Sequence, residues 1–205
     1  MKSLFDFIVE PLNGKYNSEI KLSDKSLVTN VDLDNFRAVS NMAKVVSTPL
    51  AYNTKISEGD IIIIHHNVFR TFRDIRGKQK TSRSKFTENL YFVAMDQVYM
   101  YKNKEKWNTI NNRCFVKPLV SNNDLLLDKE RELIGILKYG NSSLEALKIT
   151  PGDVIGYTPD GEYEFFIDGE RLYCMKSNDI VIKYEHQGNE VEYNPSWAKS
   201  SWRIN

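Results

Sequence analysis

Apolar residues along this chain alternate with polar ones or gather in short β-branched and aromatic runs, and they do not keep the 3.6-residue period of an amphipathic helix. The pattern predicts strands over 4–9, 43–46, 60–65, 90–93, 98–101, 114–118, 133–139, 153–157, 162–166, 171–174 and 180–184. Turn residues punctuate them, as in Glu58-Gly59-Asp60, Pro151-Gly152-Asp153, Pro159-Asp160-Gly161 and Asp168-Gly169, because these residues supply the backbone angles a reversal needs. The chain reads as all-β. The polar stretch 81–85 reads as a loop and 102–106 as a linker, so a boundary is expected near 103–112. From 189 onward alternation is lost, and the tail reads as an extended C-terminal arm.

The halves share landmarks in the same order, at a spacing of about 90 residues with loops of unequal length. Val9-Glu10-Pro11-Leu12 returns as Val116-Lys117-Pro118-Leu119, and Ile56-Ser57-Glu58-Gly59-Asp60-Ile61-Ile62 as Ile149-Thr150-Pro151-Gly152-Asp153-Val154-Ile155. Leu90-Tyr91 then returns as Leu172-Tyr173, and Asp96-Gln97-Val98-Tyr99-Met100 as Asn178-Asp179-Ile180-Val181-Ile182. One such pair is ordinary turn chemistry, but four in order imply two copies of one small barrel, each glycine providing a positive φ before a core strand.

Composition narrows the function classes. With 28 basic against 27 acidic residues, the net charge gives no general warrant for a polyanion partner, so neither nucleic acid nor a membrane is expected. Apolar runs such as Ile61-Ile62-Ile63-Ile64 fall far short of the roughly 20 residues that span a bilayer, and no basic region leads into a hydrophobic core at the N-terminus. A cytoplasmic protein is the expectation. Cys114 and Cys174 lack metal-ligand spacing and read as buried free thiols. His65 and His66, as strand neighbours, should face opposite ways and not chelate together, and His186 stands alone. Glu162 and Glu164 share a strand face and read as solvated edge charges rather than a paired acid and base. No phosphate loop or nucleophile elbow occurs, so no enzyme, cofactor or metal is expected. The most cationic stretch, Arg70 to Lys85 interleaved with Phe69 and Phe72, reads as a solvated loop or an inter-subunit salt-bridge strip, with phosphate and base contacts as the alternative.

Three segments of the second half, Gly135-Ile136-Leu137-Lys138-Tyr139-Gly140, Leu147-Lys148-Ile149-Thr150-Pro151-Gly152-Asp153-Val154-Ile155 and Leu172 to Ile182, resemble the GroES co-chaperonins. The glycine turn at Ile56 to Ile64 is similar in the first half, which adds a long insertion over 72–88, and the tandem arrangement resembles divergent co-chaperonins encoded by bacteriophages. The resemblance implies two tandem small GroES-like β-barrels with long loops, over 1–106 and 107–188, followed by the arm 189–205. It also implies a homo-oligomeric ring that caps a GroEL-type chaperonin through a mobile loop carrying a short aliphatic element, in the host cytoplasm if the source is a phage. Such a loop seats a few side chains reversibly because ordering it costs entropy, and repetition around a ring restores affinity.

In the first half that loop falls in 13–41, where Ser26-Leu27-Val28-Thr29-Asn30 resembles the family's element and nominates Leu27 and Val28. The alternative is an ordered hairpin formed by Ile20, Leu22, Leu27, Val28, Val31 and Leu33. In the second half the corresponding loop holds Leu125, Leu126 and Leu127 between Asp124 and Asp128, either exposed for docking or packed as a short strand. Family assembly through terminal edge strands nominates Phe5, Phe7, Val181 and Ile182 as oligomer-interface residues. Trp197 and Trp202, with Lys199 and Arg203, suit docking on a neighbouring subunit, the alternative being a disordered end.

Overall fold

The computed structural model describes residues 2–16, 19–22, 25–28, 39–120 and 130–185, with backbone alone for 19–22, 25–28, 120, 130 and 131. Contacts divide the chain into two compact units, Met1–Asn108 and Thr109–Asn205. The first carries β1 (Phe7–Pro11), β2 (Glu19–Leu22), β3 (Lys25–Val28), β4 (Met42–Ser47), β5 (Ile61–Ile64), β6 (Thr71–Arg73), β7 (Gln79–Thr81), β8 (Tyr91–Val93), β9 (Val98–Asn103) and β10 (Lys106–Thr109). The second carries β11 (Arg113–Val120), β12 (Glu130–Tyr139), α1 (Ser142–Ala146), β13 (Val154–Tyr157), β14 (Tyr163–Ile167), β15 (Glu170–Lys176) and β16 (Ile180–Lys183). The chain is mostly β-strand with almost no helix.

Each unit is built on a six-stranded antiparallel sheet, in the order β10-β9-β5-β4-β1-β8 in the first and β14-β15-β11-β12-β13-β16 in the second. Read from β9 and from β16, five consecutive strands coincide: β9-β5-β4-β1-β8 against β16-β13-β12-β11-β15. The registers coincide as well. Val9 faces Val45 and Tyr91, as Val116 faces Leu137 and Tyr173. Ala43 pairs with Ile62 as Gly135 pairs with Ile155. Bulges also recur, between Ile8 and Val9 and between Phe115 and Val116, and again between Ile63 and Ile64 and between Gly156 and Tyr157. All four landmark pairs therefore stand at matching positions.

The glycine turn shows how short-range chemistry sets this register. Gly59 and Gly152 hold φ of +91° and +101°, and their amides donate to Val45 O and Leu137 O, each at 2.8 Å. The aspartate that follows accepts from the amide three residues earlier, Ser57 N to Asp60 Oδ2 at 2.8 Å and Thr150 N to Asp153 Oδ2 at 2.9 Å. Its carbonyl then receives the amide of Val45 or Leu137, both at 2.9 Å, which starts the ladder with β4 or β12.

Alternation fills the cores. In β4, Ala43, Val45 and Ser47 point inward while Lys44 and Val46 are exposed, and the β5 residues Ile62, Ile63 and Ile64 are wholly buried. Phe69 packs edge-on against Tyr91 at 4.8 Å in the first unit. In the second, Val116, Leu137, Ile155, Tyr157 and Met175 gather with Leu144 of α1. That short helix is started by Asn141, whose Oδ1 accepts from the amides of Ser143 and Leu144.

Several expectations change. Neither sheet pairs its own end strands, so each is an open sheet by hydrogen bonding rather than a closed barrel. The expected linker 102–106 is the end of β9, a turn at Lys104 and Glu105 with φ of +46° and +69°, and the start of β10. Phe7, nominated for an interface on a terminal edge strand, is instead fully buried within its unit, because β1 lies between β4 and β8. Residues 65 and 66 leave the strand, and their rings stack at 4.4 Å instead of pointing apart.

Candidate functional site

The sharpest difference between the matching sheets is at one edge. β9 and β16 occupy the same place, but β9 is hydrogen-bonded on its outer side to β10, whereas β16 ends its sheet among the described residues. In β9, Tyr99 and Met100 are 6% and 0% exposed; their counterparts Val181 and Ile182 are 58% and 49% exposed. A bare strand of β-branched residues presents unpaired amides and carbonyls beside apolar surface, the arrangement that pairs with another strand. The strand is held closely from its other side. A Cβ on Gly156 of β13 would stand 3.1 Å from Ile182 Cβ, so glycine permits the approach. Lys183 anchors the strand end through Asp153 at 2.7 Å, and Tyr184 N donates to Val154 O at 3.0 Å.

A second apolar surface lies on the first unit. The backbone of residues 3 and 4 accepts from the amides of Leu50 and Ala51, at 3.1 and 2.9 Å, which fixes the segment before β1 against the segment after β4. This presents Leu4, Phe5 and Leu50 to solvent. Beside them Phe86, also exposed, packs on Phe92 at 4.9 Å, and Leu4, Phe5, Ile8, Phe86 and Phe92 line a shallow groove of about 350 Å³. Lys2 and Asp6 line it as well.

The other nominated residues divide as follows. Leu27 and Val28 lie on β3, which pairs with β2 in an antiparallel hairpin, Leu27 opposite Ile20 and Val28 opposite Glu19. Backbone pairing of this kind was the alternative to a loop for Ile20, Leu22, Leu27 and Val28, whereas Val31 and Leu33 lie outside the described residues. Leu125, Leu126, Leu127, Trp197, Trp202 and His186 lie outside the described residues. Of the residues nominated for an interface, Phe5, Val181 and Ile182 are exposed and Phe7 is not. Sequence reasoning missed Leu4, Leu50 and Phe86. The signal available for them was an apolar residue out of step with strand alternation.

Among the described residues the titratable groups show no assembled chemistry. Burial pushes the thiols of Cys114 and Cys174 up to about 12, so both stay protonated, and Cys114 Sγ lies 3.6 Å from Met175 O. Burial, with the neighbouring His65 and Arg70, lowers His66 to about 4, and His65 Nδ1 accepts from Asn67 N at 3.1 Å. Glu164 is paired with Arg171. Among the described residues no three His, Cys, Asp or Glu side chains gather as a metal site would require, and no helix is long and apolar enough to cross a membrane.

No protein-family model matches the chain, and no curated protein matches it.

Proposed function

We propose that this chain is a tandem GroES-like co-chaperonin: two copies of one β-barrel-derived module that assemble into a homo-oligomeric ring and close a GroEL-type chaperonin without catalysing a reaction. The observation that carries the reading is the coincidence of strand order, register and bulges between the units, at the landmarks on which the resemblance rests. The exposed β16 edge and the Leu4–Phe5 surface supply contacts for subunit assembly, because pairing a bare edge with a neighbour satisfies its backbone groups and buries its aliphatic side chains. Docking belongs to Leu27, Val28 and the Leu125, Leu126 and Leu127 element. Each such contact is weak alone and gains avidity from the ring.

The backbone pairing of β2 with β3 favours a second reading, in which the protein is a structural or assembly component, for example of a phage, that keeps the fold without the chaperonin contact. One experiment separates them. Native mass spectrometry gives the oligomer, and co-sedimentation with a GroEL-type chaperonin in nucleotide gives the docking. The co-chaperonin reading expects Leu27→Ser with Val28→Ser to abolish co-sedimentation and keep the oligomer. Val181→Lys with Ile182→Lys should dissociate the oligomer and leave each fold intact. An oligomer that never binds a chaperonin supports the second reading, and a monomer refutes both.

A further inference from the structure

The near-neutral total charge conceals opposite halves. Of the 28 basic residues 17 fall in residues 1–108 and 11 in 109–205, and of the 27 acidic residues 12 and 15, giving +5 and −4. One feature accounts for the positive half. Residues 70–85 hold seven cations and a single acid, Asp74, a local +6.

This stretch contains a two-stranded ribbon, β6 paired with β7 through Thr71–Thr81, Phe72–Lys80 and Arg73–Gln79. Its tip is tightly built. Gly77 N donates to Asp74 O at 2.8 Å and Asp74 N to Lys78 O at 2.9 Å, and Gly77 holds φ of +74°. That is a three-residue hairpin loop closed by a glycine bulge. The Asp74 carboxylate is spent within the turn, accepting from Arg76 N and Lys78 N at 2.9 Å each and facing Lys80 at 3.3 Å. Arg73, Arg76, Lys78, Arg83 and Lys85 are exposed. Among them Ile75 projects fully, at 103% exposure, the highest of any large apolar side chain described. A β-branched residue has no turn-forming role there. The matching sheet does without the ribbon, joining β13 to β14 through residues 158–162 alone.

We propose that this ribbon is a nucleic-acid wedge: it enters a groove of duplex DNA with its cations against the phosphates, and Ile75 inserts at a base step. A narrow two-stranded ribbon fits a groove, both walls of a groove carry phosphates, and an apolar tip between cations is the chemistry that unstacks a step and bends the helix. A protein partner would need two walls of carboxylates around an apolar slot, whereas every duplex groove supplies that pattern. This function stands apart from the chaperonin reading and needs neither the ring nor the docking loops.

The test uses the full-length protein with a duplex of about 30 base pairs, read by fluorescence anisotropy for binding and by 2-aminopurine emission for unstacking. With four or five phosphates engaged, log affinity falls with log salt at a slope of about −4, roughly a 250-fold loss between about 50 and 200 mM. Arg73→Gln with Lys78→Gln shallows that slope by about 2. Ile75→Ser, at a side chain that packs on nothing, keeps the slope and loses the 2-aminopurine signal. The proposal is overturned by absence of binding at about 50 mM salt, by an unstacking signal that is missing in the unaltered protein or survives Ile75→Ser, or by an unchanged slope in the charge variant. It is equally overturned if polyglutamate displaces the duplex as well as unlabelled duplex does at equal charge, since that outcome assigns the ribbon to acidic protein surfaces.

Discussion

Replacing Gly59 or Gly152 with alanine tests whether the two turns are physically the same device. At φ of +91° and +101° an L-residue is strained, yet nothing lies within 4 Å of the added Cβ at either position, so the cost is conformational and not steric. A left-handed backbone costs a non-glycine residue about 1–2 kcal/mol, and the stiffer unfolded chain returns about 0.4–1 kcal/mol, leaving a net loss of about 1 kcal/mol. For a unit of about 100 residues that is a fall of roughly 4–8 °C in Tm. Hydrogen exchange on the full chain reads it locally, through the β4 and β5 amides for Gly59→Ala and the β12 and β13 amides for Gly152→Ala. Equal losses are expected. Gly135→Ala serves as the contrast, because its Cβ would stand 2.4 Å from Val116 Cγ1 and 2.7 Å from Lys117 O. Backbone cannot yield there cheaply, and the cost rises to about 1–3 kcal/mol or more. A neutral Gly152→Ala beside a costly Gly59→Ala, or a Gly135→Ala no worse than either, refutes the reasoning.

Two pH predictions follow from buried groups. Burial raises the Asp153 carboxyl, but the Lys183 ammonium and the Thr150 amide outweigh it and hold the group below 3.8. Its contribution to the second unit is therefore full above the unfolded value and is lost as pH falls below about 3.8 through the lowered folded value; Asp153→Asn should flatten that acid limb in urea midpoints measured against pH. His66 has the opposite chemistry. Burial first, then His65 and Arg70, lower it to about 4, so the native state prefers the neutral ring. Stability of the first unit is full above about 6.5 and declines as pH falls toward about 4, because the unfolded chain takes up the proton first. His66→Gln should remove that slope, and an unchanged profile would count against the burial argument.

Every strand predicted from alternation overlaps an observed one, because a half-buried sheet imposes a period of two that the sequence must carry. The repeat was legible for a related reason: the glycine and aspartate of each turn have fixed backbone duties, so they persist where the surrounding side chains diverge. What stayed hidden depends on partners far away in sequence or on unusual turn residues. β10 was missed because Lys104-Glu105 fills a turn that needs two positive φ angles, where Asn-Gly would have announced it. The burial of Phe7 depends on β4 and β8 lying on both sides of β1, and a strand's position in its sheet is a long-range property. Ile75 was unremarkable as a letter, because one apolar residue in a charged stretch does not reveal that it stands at a hairpin tip.

The candidate edge shows the same limit from the functional side. By alternation alone Val181 and Ile182 are ordinary strand residues, nominated for an interface only through the family resemblance, and Tyr99 and Met100 in the matching place are buried core. The neighbouring strand separates the two, since β10 pairs with β9 and carries the buried Trp107. Among the described residues, β10 covers one copy of this edge and no strand covers the other, so β16 is the copy available for pairing. A self-complementary dimer would use that strand against itself, whereas pairing it with a different surface, such as the one around Leu4 and Phe5, makes a head-to-tail contact that closes into a ring where the rotation allows. The two arrangements separate in a mixing experiment with Val181→Lys/Ile182→Lys and Leu4→Ser/Phe5→Ser chains. Head-to-tail pairing leaves each variant one intact surface, so the mixture forms a heterodimer that neither forms alone. A self-paired β16 edge instead leaves the Leu4→Ser/Phe5→Ser chains dimeric by themselves, and that result would remove the ring.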